Sequence, residues 1–177
     1  MEDRYLVLQC KRGCGDALAQ IYAKYRKDLL ILATVLLCDR AVAEDIVHDV
    51  FVHFAETVPT FRLTGSLKGF LLTCVANRAR NHNKARRSVI PPLTNSAAED
   101  KKGPVEHLLG NEQVQRLVQA LNQLPYEQRE TVMLQMYGGM SLRGIAKKLG
   151  LSPNTVMSRY RYGLGKLKNL LNGDGDR

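Results

Sequence analysis

The 177-residue sequence contains no tryptophan, and its four Phe and seven Tyr are the only rings available to a core. No apolar run approaches the roughly 20 residues that cross a bilayer. Met1 to Arg12 mixes charges with single hydrophobes and lacks the apolar stretch of a signal peptide. These absences lead us to expect a soluble, cytoplasmic protein. There is no phosphate-cradling Walker loop, no nucleophile elbow and no cluster of metal ligands. His48, His53, His82 and His107 are scattered, and His48 and Asp49 are helix neighbours that cannot face each other as a catalytic pair. We therefore expect no enzyme, no catalytic residue, no metal, no cofactor and no small-molecule substrate. The four cysteines, Cys10, Cys14, Cys38 and Cys74, form no CxxC pair and have no His at zinc-finger spacing. Reduced thiols are expected, with Cys38 and Cys74 among apolar neighbours. Cys10-x3-Cys14 leaves a metal or redox role open. No stretch alternates with period two, and there is no internal repeat.

Acid is scarce in two places. The formal net charge is +9, from 26 Lys and Arg against 17 Asp and Glu. Ser66 to Arg87 holds six basic residues and no acid; Thr131 to Gly173 holds seven and no acid. Between Asp39 and Glu56 the sign reverses, with five acids against Arg40 alone. Such segregation predicts two nucleic-acid surfaces and one separate acidic face.

What is present is helical periodicity. Leu18, Tyr22, Tyr25, Leu29, Leu32 and Leu36 recur at steps of four and three, the mark of a long amphipathic helix. A second stripe runs Ile46, Val47, Val50, Phe51, Phe54, Val58, with Asp39 placed to cap it and Pro59 to stop it. After a loop over 59–65, Ser66 can cap a third helix that buries Leu67, Phe70, Leu71, Cys74 and Val75. From Ser88 onward, Pro91, Pro92, Asn95, Ser96 and Pro104 carry no stripe and read as a flexible linker partly stiffened by proline. Periodicity resumes at Val114, Leu117, Val118 and Leu121. Pro125 can open a further helix carrying Val132, Met133, Met136 and Tyr137, closed by Gly138-Gly139. The tail after Leu171 reads as frayed. The expected fold is all-α: two small helical domains, 1–88 and 111–177, joined by a flexible linker, 89–110.

Ser141 to Lys168 carries the strongest motif. Ser141 caps a short helix, Gly150 supplies a left-handed end, and Ser152-Pro153 opens another helix. Ala146, Gly150 and Val156 hold the small, turning and locking positions of a helix-turn-helix, with Ile145, Leu149 and Leu151 filling its interior. The second helix would expose Asn154, Thr155, Ser158, Arg159 and Arg161, types that bond base edges or phosphates in a major groove. A helical hairpin within an unrelated domain is the competing reading, and the absence of acid across the segment argues against it.

The context of this motif carries a family resemblance. Leu121-Asn-Gln-Leu-Pro-Tyr-Glu-Gln-Arg-Glu, Tyr137-Gly-Gly-Met-Ser-Leu-Arg-Gly-Ile-Ala and Leu151-Ser-Pro-Asn-Thr-Val-Met-Ser-Arg together resemble region 4 of extracytoplasmic-function sigma factors. Asp39-Arg-Ala-Val-Ala-Glu-Asp-Ile-Val-His-Asp-Val-Phe resembles their region 2.2, and Phe61-Arg-Leu-Thr-Gly-Ser-Leu-Lys-Gly-Phe-Leu, with Asn77 downstream, regions 2.3 to 2.4. His48 stands where the family usually has Gln, Phe70 where it has Trp, Ala76 where an Arg is common, and Met157 and Tyr162 where basic residues are common.

The resemblance implies a protein that binds core RNA polymerase and directs it to promoters. Glu44, Asp45, His48 and Asp49 would dock on the clamp helices of the largest subunit; an acidic face on a DNA-binding protein suits a protein partner. Phe61, Arg62, Thr64, Ser66, Lys68, Asn77, Arg78, Arg80, Arg86 and Arg87 would contact the −10 element and help to melt it, although for Phe61 anchoring the loop to the core is the favoured role. Ser141, Arg143, Ser152, Pro153, Asn154, Thr155, Met157, Ser158, Arg159, Arg161 and Tyr162 would contact the −35 element. The family commonly pairs with an anti-sigma factor. A stand-alone helix-turn-helix regulator is the alternative, but it needs a dimer interface, whereas here the N-terminal half forms a second nucleic-acid module.

Overall fold

A computed structural model describes residues 2–89 and 112–173. The expected linker falls almost wholly, and the frayed tail mostly, outside these residues. Eight helices and no strand occur among the described residues: α1 (Glu2–Lys11), α2 (Gly15–Leu37), α3 (Arg40–Thr57), α4 (Leu67–Val89), α5 (Glu112–Asn122), α6 (Tyr126–Met136), α7 (Leu142–Leu149) and α8 (Pro153–Asn172). Helix α2 is the central post of the first group, packed against α1, α3 and α4. In the second group α8 packs on α5, α6 and α7.

The helix boundaries follow side-chain chemistry. The Asp39 carboxylate accepts the Val42 N–H at 3.2 Å at the head of α3. Ser66, Ser141 and Ser152 do the same for Gly69, Gly144 and Thr155, at 3.2, 3.1 and 3.1 Å. Each cap satisfies one of the four amide donors that every helix leaves without an internal partner. Gly150 ends α7 in the left-handed region at φ 65°, donating its N–H to the Ala146 carbonyl. Gly163 serves close packing instead. A Cβ there would stand 3.0 Å from Val132 Cγ2 and 3.1 Å from Gln128 Cβ, so glycine lets α8 lie this close to α6 without displacing those side chains.

The core follows the stripes at most positions, although Tyr22 of the α2 stripe is exposed. Ile21, Leu29, Leu32 and Leu36 of α2 meet Val50 and Phe54 of α3 and Leu67, Leu71 and Val75 of α4, all fully or almost fully buried. Three rings close its end: Phe61 lies 5.5 Å from Phe54 and 4.6 Å from Phe70 between centroids. In the second group Leu134, Ile145, Ala146 and Val156 are buried.

Several expectations need correction. Met1 to Arg12 shows no long stripe, yet residues 2–11 form α1. It buries only Leu6, Val7 and Cys10 and is tied down by charge. Lys24 reaches Glu2 and Asp3 at 2.7 and 2.8 Å, and the Tyr25 hydroxyl donates to Asp3 at 2.7 Å. Cys38 does not sit among apolar neighbours. It is exposed at the C-terminus of α2, in the left-handed region at φ 55°, with its sulfur 3.3 Å from the Arg129 guanidinium and 3.5 Å from the Asn122 side-chain oxygen. Leu117 and Met136 lie on exposed faces rather than in the core. The two groups also touch, α5 and α6 resting on α2, and α6 on α4, which the separate stripes did not foretell.

Candidate polymerase and nucleic-acid interfaces

Three surfaces can be built from the helices upward. The first is the outer side of α3. Because Ala43, Ile46, Val47, Val50 and Phe54 face inward, the intervening positions Glu44, Asp45, His48 and Asp49 all face solvent. Arg40 pairs with Glu44 at 3.0 Å, while Arg78 of α4 approaches Asp49 at 3.8 Å. Both pairs are solvent-exposed, so each contributes at most about 1 kcal/mol and leaves the carboxylates available to a partner.

The second surface is the loop over 59–66 with α4. Arg62, Thr64 and Ser66 are exposed; Ser66 also caps α4. Phe61 and Phe70 are half-buried in their ring cluster, and Asn77 and Arg78 are half-buried on α4. Arg86 is exposed, and the Arg87 side chain lies outside the described residues. Besides Arg78, which approaches Asp49, two more of the basic residues already have partners. Lys68 pairs with Asp28 at 2.7 Å, and Arg80 pairs with Glu130 of α6 at 2.7 Å.

The third surface is the helix-turn-helix of α7 and α8. Asn154, Met157, Arg161 and Tyr162 are exposed, and Thr155, Ser158 and Arg159 are half-buried. The Ser152 and Thr155 hydroxyls share a hydrogen bond at 2.8 Å, which fixes the first turn of α8. The Arg161 guanidinium lies over the Tyr162 ring, 5.2 Å from its centroid. Ser141, Arg143, Ser152 and Pro153 are exposed along the same turn-and-helix edge. The N-termini of α7 and α8 carry no acid in their first turns, and their partial positive ends suit phosphate.

Sequence reasoning missed the acid at the junction. Glu130 is almost fully buried, with one carboxylate oxygen on Arg80 and also 3.4 Å from the Tyr126 hydroxyl, while its other oxygen has no partner. Burial pushes its carboxyl above the ordinary value, and the Arg80 guanidinium only partly opposes this. Asp28 is the converse case. Burial would raise it, but hydrogen bonds from Lys68 and from the Tyr137 hydroxyl outweigh burial and hold it below the ordinary range. An isolated Glu within a Tyr-Glu-Gln-Arg-Glu run gives no periodic signal of burial, so only three-dimensional packing reveals it.

Among the described residues no group of three metal-ligating side chains comes together, and no helix is long and apolar enough to cross a membrane.

Comparison with known proteins finds two family segments in this chain. The sigma-70 region 2 family matches residues 21–89, and sigma-70 region 4 matches 114–167. The ECF RNA polymerase sigma factor SigK of Mycobacterium sp. (strain KMS) is 25% identical over 161 residues, covering 88% of this chain and 83% of its own. RNA polymerase sigma factor CnrH of Cupriavidus metallidurans is 25% identical over 185 residues, covering 99% and 97%. The solved structure of CnrH in complex with the cytosolic domain of CnrY superposes with a TM-score of 0.69 at 24% identity, covering 98% of this chain and 99% of that one. The sigma factor RpoE from Bartonella quintana, solved with the anti-sigma factor NepR, gives 0.67 at 23%, covering 90% and 98%. Two family segments, region 2 followed by region 4, on an all-helical fold, together with the extracytoplasmic-function relatives, make this chain a member of the extracytoplasmic-function sigma factors, transcription initiation factors that direct RNA polymerase to promoters.

Proposed function

We propose that the three surfaces divide the work of promoter-directed initiation. The acidic side of α3, Glu44, Asp45, His48 and Asp49, docks on the clamp helices of the polymerase. The loop over 59–66 and the basic residues of α4 hold the −10 element as its strands part, where a basic groove and an exposed ring or pocket suit an unstacked base. Helix α8 enters the major groove of the −35 element by its N-terminal turns. The halves act as two domains, 1–88 and 111–177, spaced by the segment between them, and the protein works in the cytoplasm. RpoE from Bartonella quintana was solved with an anti-sigma factor; an anti-sigma partner of the same kind is proposed for this chain.

The observation that carries this reading is the segregation of charge. The exposed carboxylates of α3 lie on a face that would repel DNA, while α4 and α7–α8 present the basic residues. Such a face is suited to a protein partner. Reversing charge at Asp45 and Asp49 should abolish co-purification with core polymerase while far-UV circular dichroism and thermal unfolding stay unchanged. Undiminished co-purification would remove α3 as the docking face.

A further inference from the structure

Arg129 is a buried cation without an anion. It is only 8% exposed, yet among the described residues no carboxylate lies within ion-pair distance of its guanidinium. Its buried Nε–H has no hydrogen-bond partner there either. The bonds it does make run from Nη1, to the Cys38 sulfur at 3.3 Å and to the Asn122 side-chain oxygen at 3.1 Å. A charge taken out of water is ordinarily paired, because its lost hydration must be replaced. Here a thiol stands where the counter-ion would be. Of these three residues Cys38 is the exposed one, so its sulfur is open to small molecules from solvent. Cys38 is also the one non-glycine residue in the left-handed region among the described residues, at φ 55°. Helices commonly end there with glycine, and a Cβ makes the conformation costly. Backbone strain of this kind collects at functional positions.

We propose that Cys38 is a redox-modification site for hydroperoxides, with Arg129 as the fixed donor to its anionic sulfur and to the oxygen it gains. The thiolate attacks one peroxide oxygen. An S–O bond forms and the O–O bond breaks. Sulfur gives up two electrons, and the other oxygen departs as hydroxide and takes a proton to become water. The net change converts thiol and hydrogen peroxide to sulfenic acid and water. A low-molecular-weight thiol reverses it in two steps, first expelling water to form a mixed disulfide, then releasing the Cys38 thiolate by exchange. The last carbonyls of α2 carry partial negative charge, with the Val35 oxygen 3.9 Å from the Cys38 sulfur, and they disfavour an anion there. The Arg129 guanidinium is what opposes them. Two of the other thiols are built differently: Cys10 is buried and Cys74 half-buried, and burial raises both above their ordinary value. None of Cys38, Asn122 and Arg129 belongs to the surfaces proposed for polymerase and DNA.

The test exposes the full chain to hydrogen peroxide in the presence of dimedone, which traps sulfenic acids, and follows each cysteine by peptide mass spectrometry. Cys38 should label about tenfold faster in the folded chain than in the urea-unfolded chain, the scale of one charge-assisted hydrogen bond. Cys10 and Cys74 should label more slowly folded than unfolded. Arg129→Gln removes the cation and should bring Cys38 down to its unfolded rate. Asn122→Asp does the same without emptying a buried position: the new carboxylate pairs with the guanidinium and draws it from the sulfur. That variant should unfold at no lower temperature than the wild type, so it carries the test even if Arg129→Gln folds poorly. Cys38 labelling no faster in the folded than in the unfolded chain would overturn the site. An Asn122→Asp chain whose Cys38 labels as fast as the wild type would overturn Arg129 as its donor, and the proposal with it.

Discussion

Individual residues divide into those whose role follows from local sequence and those set by distant neighbours. Asn154 and Arg159, proposed above as −35 contacts, belong to the first kind. They lie within two turns of the Ser152 cap, where a helix entering a groove tip-first presents base-reading side chains, whereas Lys166 and Lys168 lie farther along and face solvent. Replacing Asn154 or Arg159 with Ala should change preference within the −35 element, by about 1–3 kcal/mol where a bidentate base contact is lost. Replacing Lys166 or Lys168 should weaken all sites alike and lower the salt slope by about one unit per contact. Binding measured over single-base −35 variants at several salt concentrations separates the two; a Lys166→Ala protein with reshaped sequence preference would reverse the orientation of α8. Glu130 belongs to the second kind. Its raised carboxyl means the folded chain holds more protons than the unfolded chain just above the ordinary Glu value of 4.5. The stability linked to it is therefore present below pH 4.5 and declines as pH rises through the raised value. Asp28, held below its ordinary 3.8, has the opposite linkage: its contribution is present above that value and is lost as pH falls. Glu130→Gln should flatten the decline above pH 4.5 and leave the acid limb due to Asp28 in place, as read by urea unfolding across pH. Parallel profiles for the two proteins would contradict the burial of that carboxylate.

At the scale of elements, most of the fold was legible because caps and stripes are local. Asp39, Ser66, Ser141 and Ser152 each accept the amide three residues on, as their placement before apolar stripes demands. Ser152→Ala should cost about 1 kcal/mol and loosen the first turn of α8, so thermal stability and, on the proposed reading, −35 affinity should fall together. A loss of affinity at unchanged stability would make Ser152 a direct DNA contact instead. Helix α1 was not legible. Its apolar stripe is only Leu6, Val7 and Cys10, too short for periodicity, and the ion pairs of Glu2 and Asp3 with Lys24 are long-range. Phe61 was legible only as a choice between stacking on a base and anchoring the loop. The ring cluster with Phe54 and Phe70 shows the anchoring contact, with the ring still half-exposed.

For the whole molecule, charge order pointed to nucleic-acid surfaces and the motif resemblance carried the class of function, while the contact between halves was out of reach. Its residues, Asp28, Arg80, Glu130, Tyr137 and Met140, lie on four separate segments, with no pattern in the sequence linking them. If the halves are separate domains, as proposed, fragments cut near Ala97 should each be helical and unfold cooperatively. A fragment that stays unfolded alone would mean that the contact is part of one indivisible core. The most direct measurement of the central claim is run-off transcription with core polymerase on genomic fragments, including the promoter of the protein's own operon. The account predicts discrete transcripts that require both core and this chain and that vanish when Asp45 and Asp49 are charge-reversed. Binding of the same fragments by the chain alone, with no transcript dependent on it in the presence of core, would contradict it.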